Sequence, residues 1–221
     1  MKASKYAVTI TGSTPLLMHS DNLSWAEHMR RWQKNPSNTG ESIPGDDRTP
    51  SWRWIGCLYA DQNKVCIPAD NLMTVLREGG KRTPTGRRGG TFKAQTQSGL
   101  VVNEASWPLL VSGRTIDMGE ILSLTDEPDF EKHVAKAETL GFDLFVKRAK
   151  VGAAKHVRVR PRFDTWSAQG TITVFDEMIT KEVLSNILTL AGAYAGLGDW
   201  RPSSPKAPGP FGKFTVELKE A

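Results

Sequence analysis

Residues 156–162 read His-Val-Arg-Val-Arg-Pro-Arg, so Arg158, Arg160 and Arg162 alternate with Val157, Val159 and Pro161. In an extended chain, side chains two apart share a face, which puts three guanidinium groups on one side of a strand and the apolar groups on the other. A guanidinium stays charged and grips phosphate oxygens with two parallel N–H donors, so this row suits a line of phosphates. If the row points away from the core, alanine at all three positions weakens polyanion binding and leaves the fold intact. The surroundings agree: Lys147, Arg148, Lys150 and Lys155 join the three arginines, and no acid occurs from 144 to 163.

A second basic concentration holds Arg77, Lys81, Arg82, Arg87, Arg88 and Lys93 against the single Glu78. A third is sparser, with Trp200, Arg201 and Lys213 in a segment rich in glycine and proline. Acids gather elsewhere, at Asp126, Glu127, Asp129 and Glu131. Charge segregated in this way implies a positive face for a polyanionic partner. Trp52, Trp54, Trp166 and Trp200 lie near these cations and offer rings on which bases stack for ~1–3 kcal/mol each. The competing reading for any one tryptophan is ordinary core packing.

Catalytic patterns are sparse. No P-loop, nucleophile elbow or His-Glu-x-x-His motif occurs. His28, His133 and His156 are scattered and read as surface or packed histidines. His19, just after the first strand, is the one candidate general base. Asp46-Asp47 sits in a polar loop, where adjacent carboxylates aim poorly at a shared cation, and reads as a solvated turn. Cys57 and Cys66 are the only cysteines, which excludes a disulfide scaffold and a four-cysteine zinc site and implies buried free thiols. No metal and no cofactor is expected.

The elements that must position these residues are legible in outline. With 221 residues, 38% of them apolar, and a net charge of +5, the chain is long enough for one domain with insertions. It has no apolar run near the ~20 residues that span a bilayer and no leader-like N-terminus, so a cytoplasmic protein without membrane contact is expected. Alternation predicts a first strand over 5–11, and the spacing of Trp25, His28, Met29 and Trp32 a helix over 24–34 capped by Asn22 or Ser24. The polar stretch 35–51 reads as a mobile loop or functional insertion. Strands over 54–60 and 64–67 flank an Asx turn, and Pro68 opens a helix that Gly79-Gly80 ends. Residues 79–97 then form a flexible, basic, glycine-rich loop. A small β region covers 100–124 and a short helix 129–137. Strands over 142–146 and 156–163 form a hairpin-like arm around Gly152, and another strand covers 170–175. Thr180 caps a helix, and a strand closes the chain from 214. This order argues an α+β fold: one antiparallel sheet with helices on one face, and insertions at 12–53, 79–97 and 142–163.

Three stretches together resemble the RAMP superfamily: the first strand ending in Gly-Ser-Thr-Pro-Leu, the Ile-Pro-Ala-Asp-Asn-Leu step leading to Arg77, and the late helix feeding Gly-Leu-Gly-Asp-Trp-Arg-Pro to Gly-Pro-Phe-Gly-Lys-Phe. Within it they look most like Cas7-type backbone subunits of CRISPR effector complexes. The likeness covers residues 5–18, 64–77 and 180–218, and the glycine loop departs from the pattern in carrying Pro202, Pro205, Pro208 and Pro210. It implies a ferredoxin-like or RRM-like core that assembles with copies of itself along a single strand of RNA or DNA, or a phage-borne strand-coating relative. The basic arm matches in placement the hairpin such proteins fold over the bound strand. The alternatives are a RAMP-type endoribonuclease using His19, and a structural phage protein whose basic patch meets an acidic protein.

Overall fold

The computed structural model describes residues 3–41, 43–86, 89–151 and 154–221. In chain order the first elements are β1 (Ser4–Gly12), β2 (Leu16–Leu17), α1 (Leu23–Lys34), a 3-10 turn (Pro36–Asn38), a 3-10 helix (Ser51–Cys57), β3 (Ala60–Asp61) and β4 (Lys64–Pro68). Then come α2 (Ala69–Arg82), α3 (Lys93–Ser98), β5 (Leu100–Val102), β6 (Ser106–Pro108), β7 (Leu110–Val111), β8 (Arg114–Thr115), α4 (Met118–Leu122) and α5 (Phe130–Thr139). The chain finishes with β9 (Asp143–Val151), β10 (Ala154–Phe163), β11 (Ser167–Val174), α6 (Lys181–Leu190), a π-turn (Ala191–Ala195) and β12 (Phe214–Glu220). These elements form two compact units: residues 1–16, 66–115 and 164–221, and residues 17–65 and 116–163.

The first unit carries the α+β pattern that the element order implies. β1 pairs antiparallel with β11 on one side and β12 on the other, and β5 pairs antiparallel with β11. Taking β1, α2, β5, β11, α6 and β12 in turn gives the β-α-β-β-α-β order of the ferredoxin-like motif, with the sheet order β12-β1-β11-β5. Alternation along β1 buries Tyr6, Val8 and Ile10. Thr180 caps α6 by accepting from Val183 N–H at 3.3 Å, and Leu184, Ile187 and Leu188 form its buried stripe.

Gly79 and Gly80 do not end α2; both are buried inside it, and the helix runs on to Arg82. A Cβ on Gly79 would lie 2.2 Å from Ile187 O, and one on Gly80 2.4 Å from Thr96 Oγ1, so the glycines let α6 and α3 come close. The flexible loop expected over 79–97 is correspondingly short. Residues 79–82 and 93–97 are helical, Phe92 N–H donates to Thr83 O (3.0 Å) and Thr85 N–H to Gly90 O (3.0 Å), which closes the base of the remainder. The glycine loop after α6 is also folded tightly, since a Cβ on Gly212 (φ +72°) would meet Leu197 O at 1.8 Å.

The second unit is assembled from two insertions into that motif, one between β1 and α2 and one between β8 and β11. α1 is capped by Asn22 Oδ1, which accepts from Trp25 N–H at 3.0 Å. The strand expected over 54–60 is instead the 3-10 helix, and only the two-residue β3 survives, joined to β4 through Gln62 and Asn63 at φ +47° and +60°. Trp52 and Trp54 are therefore buried, not offered for stacking; Trp52 packs edge-on against Trp25 and Trp32, and Trp54 against His133. His133 is fully buried. Trp54 Nε1 donates to its Nδ1 (3.1 Å), and its Nε2 lies 2.9 Å from Glu127 O, which fixes the neutral tautomer with the proton on Nε2. Cys57 and Cys66 are buried free thiols. Among the described residues no helix is long and apolar enough to cross a membrane.

Candidate functional site

β9 and β10 pair antiparallel from Asp143↔Arg162 to Val151↔Ala154, so the arm spans the expected residues with longer strands than those expected over 142–146 and 156–163; its expected turn at Gly152 lies outside the described residues. The alternation holds along β10, where Val159, Pro161 and Phe163 are buried and Arg158, Arg160 and Arg162 are half-buried. Directly opposed residues share a face. One face therefore carries Arg158 opposite Lys147, with Arg160 and Arg162, while the other carries Lys155 opposite Lys150, and Arg148 opposite Val157. The cations lie on both faces of the arm.

The arginine row is not simply open to a ligand. Arg158 Nη1 donates to Asp47 Oδ1 and Arg160 Nη1 to Asp47 Oδ2, each at 3.0 Å, and Arg53 forms an ion pair with the same carboxylate at 3.3 Å. Asp46 and Asp47 are accordingly buried, not a solvated turn. The arginine fork of Arg48 on Asp46 (2.7–3.2 Å) holds that carboxyl below the usual range despite its burial. Nor is the segment before them a free loop at its end. Val157 N–H donates to Gly45 O (2.8 Å) and Asp47 N–H to Val157 O (3.0 Å), so this backbone lies along β10 as a short parallel edge. Replacing Arg158 and Arg160 removes both of the arginine donors that Asp47 has at 3.0 Å, so the alanine variant is expected to lose stability as well as binding, contrary to the expectation of an intact fold. Arg162 lies with its guanidinium carbon 5.9 Å from the Phe145 ring centre.

The remaining basic residues of this arm, Lys147, Arg148, Lys150 and Lys155, are exposed. Arg148, Lys150 and Lys155 make no ion pair among the described residues. Val146 stands 44% exposed beside them. His19 Nε2 lies 3.3 Å from Arg160 Nη2; a guanidinium only donates, so this nitrogen accepts.

The other candidates belong to the first unit. Arg77 and Lys93 are exposed, whereas Lys81 and Arg82 pair with Glu78, the latter at 3.3 Å, and Arg87 and Arg88 lie outside the described residues. Arg201 is turned onto its own loop, donating to Gly198 O (2.9 Å) and Ser203 Oγ (3.1 Å). Trp200 leans on Phe211 with ring centres 5.4 Å apart, and Lys213 N–H donates to Thr14 Oγ1 (3.0 Å). The structure thus gathers Lys147, Arg148, Lys150, Lys155, Arg158, Arg160 and Arg162 on one arm, and leaves Arg77, Lys81 and Arg82 on α2, Lys93 on α3, and Trp200, Arg201 and Lys213 in the glycine loop. Sequence reasoning missed Asp47 and Arg53; the sole signal for them was a pair of acids in a loop too long to be a plain connection.

No protein-family model matches the sequence, and no curated protein matches it. Among solved structures, the crystal structure of Cmr6 from Pyrococcus furiosus aligns over 98% of this chain and 100% of its own, at 11% identity and a TM-score of 0.37. A likeness that loose carries no functional inference.

Proposed function

We propose that the protein binds single-stranded nucleic acid, RNA or DNA, without cleaving it, and that the β9–β10 arm grips the sugar-phosphate backbone. The observation that carries this reading is the cross-strand pairing of like charges, Lys150 opposite Lys155, neither of which makes an ion pair among the described residues. Like charges directly opposed in an antiparallel pair are destabilising. With no acid between 144 and 163, the arm carries a repulsion that a polyanion relieves. The apolar surface of Val146 among those cations favours a single strand, whose bases are free to cover it, over a duplex, whose bases are stacked inside.

The acceptor role of His19 Nε2 toward Arg160 occupies the lone pair a general base would use, which supports a non-catalytic reading over the ribonuclease. The resemblance to Cas7-type subunits adds assembly of copies along the strand or within a larger complex. Fluorescence anisotropy with labelled single-stranded RNA and DNA, with and without EDTA, tests the reading. Binding that weakens steeply with salt, ignores EDTA and leaves the strand intact is expected. A log-log salt slope near zero overturns it, and cleavage of the strand restores the His19 alternative.

A further inference from the structure

We infer that the second unit carries a separate site for one phosphate monoester, in a cleft of about 520 Å³ formed by α1, the 3-10 helix and β10. His19, Trp25, Arg53, Arg158 and Arg160 line it, and Asp47 stands at its base between the three arginines. One carboxylate needs one cation. Asp47, its side chain only 5% exposed, is shared by three, so the cluster is net positive. A phosphate monoester, at about −1.5 to −2 at neutral pH, is drawn to it more strongly than a strand's internal diester, at about −1. Of the other charged lining residues, Arg30 pairs with Glu27 at 2.7 Å, and Asp21 is an exposed acid that lowers the net charge of the cleft.

The donors are present as well as the charge. Each guanidinium has five N–H groups. Arg158 gives one to Asp47, Arg53 meets it at 3.3 Å, and neither side chain makes another hydrogen bond or ion pair among the described residues, although both line the cleft. Ser20, Asp21 and Asn22 bring the N-terminal end of α1 to the same cleft, and the first turn of that helix has no acidic residue, so its partial positive charge adds to the field. Beside the cations stands a rigid flat surface. The Trp25 indole is seated against Gly56, where a Cβ would come within 1.9 Å of its Cδ1, and is held edge-on by Trp52 at 5.5 Å. A cationic cluster next to a fixed aromatic ring, in a cleft of the size that takes small ligands, suits a phosphate on a nucleoside. Such a group is either a free mononucleotide or the phosphorylated end of a strand. The site shares Arg158 and Arg160 with the base of the arm, while Arg53 and Trp25 belong to it alone and Lys150 and Lys155 to the arm alone.

The test uses the full chain and titration calorimetry with inorganic phosphate, adenosine, adenosine 5′-monophosphate, and 12-nucleotide strands ending in hydroxyl, 5′-phosphate or 3′-phosphate. The monophosphate should bind and adenosine should not at the same concentration. Arg53→Gln should weaken the monophosphate at least tenfold, while Asp47 keeps two arginines and the fold; Arg158→Lys, which keeps a charge on Asp47 but loses the fork, should weaken it similarly. Lys150→Ser, on the arm, should not. A phosphate-ended strand binding fivefold or more better than its hydroxyl-ended twin assigns the site to strand ends, and equal strands with a bound monophosphate assign it to free mononucleotides. No binding of phosphate or monophosphate, with all strands bound equally, overturns the site and leaves the arm reading standing. Binding of the monophosphate with no strand bound does the reverse.

Discussion

Replacing Asp47 with alanine strips the counter-ion from three arginines at once. The carboxylate accepts from Arg158 and Arg160 at 3.0 Å, pairs with Arg53 at 3.3 Å, and receives Val159 N–H at 3.4 Å. Removing one partner of a fully buried pair costs about 3–5 kcal/mol, because the other charge is left without compensation. Here the cations are only partly enclosed, with 12%, 30% and 33% of the Arg160, Arg158 and Arg53 side chains in water, so part of the loss is screened. The expected cost is therefore about 2–4 kcal/mol. For a chain of this length each kcal/mol moves the melting temperature by roughly 2–4 °C, so a fall of roughly 4–16 °C is expected. Urea unfolding followed by tryptophan fluorescence reads it, with Trp25, Trp52 and Trp54 as reporters in the same unit. Strand binding by whatever remains folded should hold or tighten, since a negative charge has gone. A variant within about 0.5 kcal/mol of the parent, the usual spread for surface changes, refutes the assignment of Asp47 as the ion that holds Arg158 and Arg160 in place.

Three further outcomes follow from the same geometry. Lys150→Ser with Lys155→Ser removes two phosphate contacts, so the log-log salt slope of strand binding should fall by about 1.4 with no loss of stability; an unchanged slope places the strand elsewhere. Burial holds His133 below the ordinary histidine range, and Trp54 Nε1–H already faces Nδ1, so the unfolded state takes up the extra proton more readily. Stability is therefore full above pH 6.5 and falls as pH drops below it; a urea midpoint that declines equally in His133→Gln between pH 7.5 and 5.5 argues against this cause. Gly79→Ala should cost about 1–3 kcal/mol despite alanine's better helix propensity, because the new Cβ meets the backbone oxygen of Ile187 at 2.2 Å; a more stable variant would show that α2 and α6 are not in close contact there.

What the sequence made legible is what depends on neighbours along the chain. Asn22 and Thr180 sit at their caps because an oxygen three residues before an orphan N–H suffices, and β10 keeps its alternation because period two is local. The α+β class could be anticipated from the same local signals, and the ferredoxin-like core only from the resemblance to the RAMP superfamily. Where reading failed, a distant partner decided. Gly79 looks like a helix stop until Ile187 is brought against it, and Trp54 looks like a strand residue until His133 and Phe142 enclose it. Asp47 reads as solvated because the two arginines that donate to it at 3.0 Å are 111 and 113 residues further on. The row at 158–162 lacks local acids; its acid comes from the other insertion.

Each insertion is about 50 residues long, a size at which a chain buries too little surface to fold with much margin alone. They share one core, in which Trp54 from the first meets His133 and Phe142 from the second, and one ionic weld, Asp47 and Arg53 from the first with Arg158 and Arg160 from the second. The weld explains why three arginines surround one carboxylate without requiring a ligand for that geometry, and it leaves the cleft lined by more cationic than anionic side chains. Arginines at the weld thus act on folding and on any anion bound there, and their substitution mixes the two effects. Arg148, Lys150 and Lys155 take no part in the weld and make no ion pair among the described residues. On the arm, the proposed strand binding is therefore tested apart from folding through those three: their loss should weaken the hold on a polyanion and leave the weld intact, whereas loss of the arginines in the row changes both.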